Sequence, residues 1–323
     1  MSAPSRSAAA TLATARDVEE IHYYLNQTPR QLPSRLLYDA LGSTLFEAIC
    51  LLPWYRITRA EAGLLAGHGA AIGALASPTE VVELGCGNGD KIVALVGALP
   101  KPVPDVQLID VSAEALARTT LALHTVGATA VTAVQATYED GLMQLPPAPA
   151  HGRRLILFLG SNIGNFDPPA ASAFLHLVRR ALGARDSLLI GVDLQKSERD
   201  LMRAYDDPLG ITAAFNKNLL LRLNTEIGTN FDLDGFEHEV QWNAAASRVE
   251  MHLMCRRPQD VVVPGPAGSM TFTMAAGESI WTESSYKYEA DGFQAIVEGA
   301  GLALRSRWID SEAQFLLALF DAR

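Results

Sequence analysis

Glycine recurs at alternate positions in Glu83-Leu84-Gly85-Cys86-Gly87-Asn88-Gly89, at the end of the strand-like segment of residues 80–84. Glycine there permits positive φ and lets the backbone approach a ligand closely. A dinucleotide fingerprint uses Gly-x-Gly-x-x-Gly, with a pyrophosphate on the following helix N-terminus. This loop is one residue tighter, and Glu83 precedes its first glycine. A carboxylate beside a pyrophosphate would repel it, so a nucleoside without phosphate suits the loop better. S-adenosylmethionine (SAM) is such a ligand, with a sulfonium, an amino-acid tail, a ribose and an adenine. Asp110 ends the next apolar run, where its carboxylate would accept from both ribose hydroxyls. A nicotinamide-dinucleotide site and a tight turn with no ligand stand as alternatives. Cys86 reads as a small loop residue rather than a nucleophile.

These residues need a scaffold of alternating strands and helices. Residues 60–75 have helical spacing, and 80–84 form a short buried strand. Residues 91–99 are helical and end at Pro100, Pro102 and Pro104; 106–110 are the next strand. Ser112 is a good N-cap for a helix over 113–124. Strands at 130–136 and 154–159, a helix over 170–182 and a strand at 187–192 follow. Such alternation predicts a doubly wound parallel sheet, with ligands at the carboxyl ends of its strands. The exits after Leu84, at Asp110 and after Leu159 are polar or glycine-rich.

The second half differs. Residues 197–223 look helical, interrupted by Pro208-Leu209-Gly210. Residues 236–242 and 248–255 alternate with period two and predict a hairpin. Residues 270–275 and 279–288 predict another strand pair across Ala276-Gly277-Glu278. The tail reads helix (291–301), strand (302–308), strand (315–320).

Composition narrows the function. The 323 residues are 49% hydrophobic and 19% charged, enough for a large core. Lys+Arg number 26 against 36 Asp+Glu, a net charge of −10. That disfavours nucleic acid and anionic membranes as partners, but not a small zwitterion. Three cysteines lack disulfide or metal-ligand patterning, which points to a reduced, cytoplasmic setting. No stretch has the length of a membrane span. His238 and His252 read as structural, with no metal expected.

Further segments occur alongside the glycine loop. They are Tyr38-Asp39-Ala40-Leu41-Gly42-Ser43, Leu52-Pro53-Trp54-Tyr55-Arg56-Ile57-Thr58-Arg59 with Glu61, and Gly160-Ser161-Asn162-Ile163-Gly164-Asn165. Arg203-Ala204-Tyr205-Asp206-Asp207, Thr212-Ala213-Ala214-Phe215-Asn216, Phe231-Asp232-Leu233, Phe236-Glu237-His238 and Glu283-x-Ser285 complete the set. With them the chain resembles the SAM-dependent histidine Nα-methyltransferases of ergothioneine biosynthesis over nearly its whole length. The resemblance implies a Rossmann-like class I SAM-dependent methyltransferase fold with a second, discontinuous substrate-binding domain. Mapped here, 15–60 and 196–285 form the substrate-binding domain, 61–195 and 286–323 the SAM-binding domain, and 1–14 a disordered arm. It implies methylation of the α-amine of L-histidine to the trimethylated betaine hercynine, with SAM and the amino acid as ligands; a monomer is expected.

The resemblance also implies site residues. Gly85, Gly87, Lys91 and Asp110 fall on the cofactor, with Thr137 and Tyr138 at its adenine end. Asn165 and Tyr205 fall on the substrate carboxylate and amine, and Tyr38 near the reacting amine. Tyr55, Glu283 and Ser285 fall around the imidazole, with Met251 flanking it. Glu283 and Ser285, two apart on a predicted strand, would share a face. Two positions depart from the family pattern. Thr137-Tyr138 replaces Asp-Phe, which gives the adenine amine a weaker acceptor. Asn162 stands near the substrate amine where Thr is usual, which bears on how many methyl groups fit. The alternatives are another amino acid or amine as substrate, incomplete methylation, a Rossmann oxidoreductase, or a silent binding protein.

Overall fold

A computed structural model describes residues 15–148, 151–266 and 268–323. The arm expected over 1–14 lies outside the described residues. The chain divides into two compact units, Met1–Tyr55 with Lys196–Ser285 and Arg56–Gln195 with Tyr286–Arg323. The first crossover thus falls at Tyr55, slightly before the boundary expected from sequence.

The second unit is built on a seven-stranded sheet. Its strands are β1 (Glu80–Leu84), β2 (Asp105–Asp110), β3 (Val131–Gln135), β4 (Arg154–Phe158), β5 (Ser187–Asp193), β6 (Leu302–Asp310) and β7 (Phe315–Ala322). The order is β3-β2-β1-β4-β5-β7-β6. β1 to β5 pair in parallel, and β7 runs antiparallel between β5 and β6. This is the class I methyltransferase sheet. Every residue of β4 and β5 is buried, as expected for apolar runs covered on both faces. Val82, Ile156, Phe158, Leu188, Ile190 and Leu316 from the sheet pack with Phe174 and Phe293 from helices.

Local signals set the helix ends. Ser112 caps Ala113–Thr125 by accepting from Ala115 N at 3.2 Å. Asp167 caps Pro168–Ala181 by accepting from Ala170 N at 2.8 Å, with proline at the first helical position. Reversal at β1 puts the Gly85–Gly89 loop at the point where strand order changes direction, the ligand end of such a sheet.

The first unit carries a four-stranded sheet in the order Arg30–Gln31, Ser279–Tyr286, Arg248–Cys255, Phe236–Asn243. The last two form the expected hairpin, in register from Phe236 opposite Cys255 to Asn243 opposite Arg248. Helices Ala40–Leu51, Glu198–Tyr205 and Ile211–Glu226 belong to the same unit. The expected pairing of 270–275 with 279–288 is corrected. Met270–Met274 pairs with Gln259–Val263 as a separate two-stranded sheet, and Ser279–Tyr286 enters the four-stranded sheet instead. Residues 259–263 alternate poorly on a sequence reading, so the true partner was not visible.

Candidate active site

In the second unit, Gly85, Gly87 and Gly89 have φ of +81°, +53° and +84°. A Cβ on Gly85 would lie 2.9 Å from the Tyr138 hydroxyl oxygen, and one on Gly89 2.7 Å from Thr119 Oγ1. Gly87 instead borders open space, with nothing within 4 Å of its would-be Cβ. Asp110 closes the loop from below. Its Oδ1 accepts from Ser112 N at 2.8 Å, and its Oδ2 from Gly87 N at 3.3 Å and the Cys86 thiol at 3.6 Å. Burial, with Asp110 and Glu83 nearby, pushes the Cys86 thiol far above its ordinary pKa. A thiol kept protonated in this way is no nucleophile.

Glu83 is buried, and its Oε2 has no hydrogen-bond partner among the described residues. Burial raises its pKa against the opposing pull of Lys91, and Asp110 and Glu61 raise it further. Thr137 caps helix Tyr138–Gln144, its Oγ1 accepting from Asp140 N at 3.2 Å. Tyr138 packs its ring on Phe158 and Phe174, at 5.3 and 6.2 Å between centroids. Burial raises its phenol pKa, so it stays neutral.

After β4 the chain makes a tight turn. Ser161 adopts φ +59°, and Asn162–Asn165 form a 3₁₀ turn. Ser161 Oγ accepts from Asp193 N at 2.9 Å, while Asp193 pairs with the buried Lys287 at 2.9 Å. Gly164 has no room for a side chain, since its Cβ would lie 2.9 Å from the Tyr286 carbonyl. These contacts hold Asn162 and Asn165, both half-buried, at the strand exit. The Asn162 amide lies near the cofactor loop, 3.3 Å from where Gly85 would carry a Cβ.

In the first unit, Tyr205 donates its hydroxyl hydrogen to Ser285 Oγ at 2.8 Å, and both residues are buried. Tyr55 lies edge-on to Tyr205 at 6.2 Å and to Phe46 at 6.1 Å. Tyr38 lies edge-on to Phe46 and Phe215, each at 5.5 Å. Burial raises the Tyr55 phenol pKa, and Tyr205, Cys50, Tyr38 and Glu283 reinforce the shift. Glu283 therefore belongs to the same neighbourhood. Met251 is buried and gives its carbonyl to Thr282 Oγ1 at 3.0 Å, beside the strand carrying Glu283 and Ser285.

His238 locks the base of this cluster. Asn216 Nδ2 donates to its Nδ1 at 3.0 Å, which leaves Nε2–H to donate to the Tyr205 carbonyl at 2.9 Å. Burial lowers its pKa, consistent with a neutral ring. A second polar cluster, not expected from the sequence, lies on the hairpin. Glu250 accepts from Arg248 Nε at 2.6 Å, Asn243 Nδ2 at 3.0 Å and His252 Nε2 at 3.2 Å. Arg248 and His252 both lie over the Trp281 ring. Period-two spacing of Arg248, Glu250 and His252 was the available signal. Among the described residues, no group of three or more His, Cys, Asp or Glu could hold a metal ion.

A profile of the SAM-dependent, histidine-specific methyltransferases matches residues 17–322. The chain belongs to this family. The histidine N-alpha-methyltransferase of Mycobacterium tuberculosis is 38% identical over 315 residues, covering 95% of this chain and 94% of that protein. That of Mycolicibacterium smegmatis is 39% identical over 302 residues, covering 91% of each. Ergothioneine biosynthesis protein 1 of Neurospora crassa is 32% identical over 285 residues, 87% of this chain and 32% of that longer protein.

The methyltransferase has a loop that fits the family's cofactor. Gly87 leaves open space above the backbone, and Asp110 offers a carboxylate oriented by two backbone N–H groups. Glu83 supplies a buried carboxyl with an unpartnered oxygen. A pyrophosphate would meet repulsion from the Asp110 carboxylate, whereas ribose hydroxyls are donors that it accepts. No described helix of the methyltransferase is long and apolar enough to cross a membrane.

Proposed function

We propose that this chain methylates the α-amine of L-histidine with SAM, through to the trimethylated betaine hercynine. The observation that carries the substrate assignment is the Tyr205–Ser285 hydrogen bond of 2.8 Å, with Tyr55 and Glu283 beside it. It joins phenols suited to an amine with a hydroxyl and a carboxylate suited to an imidazole.

SAM, when bound, supplies an electrophilic methyl group on its sulfonium. Asp110 accepts from the ribose hydroxyls, Lys91 meets the cofactor's carboxylate, and Thr137 and Tyr138 border the adenine. Gly85 and Gly87 let the backbone approach. On the substrate side, Asn165 and Tyr205 hold the carboxylate and amine, with Tyr38 near the nitrogen and Asn162 beside it. Glu283 and Ser285 satisfy the imidazole N–H groups, Tyr55 lies against the ring, and Met251 supports it.

The nucleophile must be the neutral amine. A buried Tyr55 with a raised pKa stays protonated and cannot serve as a base near neutral pH. The phenols and the Asn165 amide therefore orient the lone pair, and the amine loses its proton to water. Positioning then does most of the catalysis. A site that hydrogen-bonds an imidazole discriminates strongly against side chains lacking those groups. The reading includes a monomeric, cytoplasmic enzyme.

Isothermal titration of histidine against other amino acids, with methyl counting by mass spectrometry, tests the proposal. Selective binding of histidine and a trimethylated product are expected. Equal binding of phenylalanine would overturn the substrate, and a product that stops at one methyl group would overturn the degree.

A further inference from the structure

Glu61 is a charged side chain where an apolar one would pack a helix equally well. It lies in Ile57–Ala76 and is fully buried. Both its oxygens accept from Gly160 N, Oε1 at 2.9 Å and Oε2 at 2.8 Å. Its Oε2 also lies 2.6 Å from Lys91 Nζ, at the first turn of the helix after the glycine loop. The surroundings are cut to fit it. A Cβ on Gly191 in β5 would collide with Glu61 Oε1, and a Cβ on Gly160 would lie 3.1 Å from Lys91 Nζ. One carboxylate thus ties two ligand-end segments of the sheet, the helix after β1 and the turn after β4, in space that glycine at position 191 of β5 leaves open.

Stability does not explain this arrangement. A buried ion pair is often no more stabilising than apolar side chains of the same volume. What the pair does supply is a fixed place for a flexible cation. A lysine ammonium rides on four methylenes and has three donors, of which Glu61 takes one. Lys91 keeps 22% of its side chain exposed, while Glu61 keeps none.

We propose that Glu61 is a positioning residue for the cofactor. It anchors the Lys91 ammonium against the Gly160 backbone, so that the carboxylate of the cofactor's amino-acid tail meets a cation already oriented. The inference rests on SAM being the cofactor of this chain. It predicts an effect confined to ligands that carry the tail.

The test is isothermal titration of wild type, Glu61→Gln, Lys91→Met and the double variant. The probes are SAM, S-adenosylhomocysteine and 5′-methylthioadenosine, which lacks the amino-acid tail. Each single variant should weaken the two tailed ligands by about tenfold, the scale of one charge-assisted contact. Affinity for 5′-methylthioadenosine should stay within about twofold, because no carboxylate is involved. The double variant should bind SAM no more weakly than Lys91→Met. A parallel loss for all three ligands would mean a general structural role and overturn the proposal. So would unchanged SAM binding by Glu61→Gln, or losses that multiply in the double variant. If Glu61→Gln fails to fold, the double variant, which removes both charges, is compared with Lys91→Met. Equal SAM affinity is then expected, and a further loss overturns the proposal. Wild type that binds no SAM would instead bring down the cofactor reading itself.

Discussion

The Tyr205 phenol donates to Ser285 Oγ across 2.8 Å, linking the end of one helix to a strand 80 positions later. His238 holds the same tyrosine from behind, through its backbone carbonyl. The tyrosine is thus held by contacts from two separate strands, one to its phenol and one to its backbone. Replacing Tyr205 with Phe removes the donor and keeps the ring. Stability should fall by about 1 kcal/mol, the net worth of a hydrogen bond. KM for histidine should rise while the Kd for SAM stays put. Thermal melts, steady-state kinetics and titration together read this, and an equal loss of SAM affinity would place Tyr205 wrongly.

Burial does most to raise the Tyr55 pKa, and Glu283 lies close enough to add to it. Glu283→Ala should raise KM for histidine by about tenfold or more, as a charged partner of the ligand is lost. SAM binding should change little. Kinetics with histidine varied, beside SAM titration, would expose a misplaced residue if both ligands suffered alike.

The glycine loop separates folding from binding. Gly89→Ala forces a Cβ to within 2.7 Å of Thr119 Oγ1 at φ +84°. Gly87→Ala meets no atom within 4 Å and has only the backbone conformation against it, φ +53°. Leaving glycine at positive φ costs about 1 kcal/mol. The ligand-free melting temperature should therefore fall further for Gly89→Ala, whereas Gly87→Ala should mainly weaken SAM. Identical melting shifts would show that the Thr119 contact carries no penalty.

Asp207 precedes the Gly210 N-cap of Ile211–Glu226 and accepts from backbone at the helix start, from Thr212 N at 2.8 Å, Leu209 N at 3.0 Å and Ile211 N at 3.3 Å. Burial alone would raise its pKa, but these hydrogen bonds outweigh it and hold the carboxyl below the usual range. The unfolded chain releases its proton near pH 4, so the stabilisation is complete above about that pH. It is lost as pH falls through the lower folded pKa. Asp207→Ala should cost about 1 kcal/mol at neutral pH. The gap to wild type should narrow in acid. Denaturant melts across pH would show this, and a constant gap would mean that the charged form is not what matters.

The class I sheet was legible because its signals are local. A short apolar run such as residues 155–158, bounded by turn residues, suits a strand covered on both faces. Ser112 and Asp167 announce their helices, and the glycine loop announces a close approach of backbone. The polar hairpin cluster of Arg248, Glu250 and His252 was not read. Its meaning depends on Trp281, which reaches it from another strand.

By itself the sequence determined the seven strands of the second unit in chain order, the glycine loop, and Asp110 as the acid ending β2. Those features follow from side-chain period, backbone freedom and capping, which act over a few residues. Only the tertiary structure decided that Met270–Met274 pairs with Gln259–Val263 and that Ser279–Tyr286 enters the four-stranded sheet. Strand partners are chosen by burial of whole faces, not by the intervening turn. It alone set Glu61 against Lys91 and Gly160, 30 and 99 positions away. A buried carboxylate must find its partners wherever the fold supplies them, and distance along the chain does not say where that is.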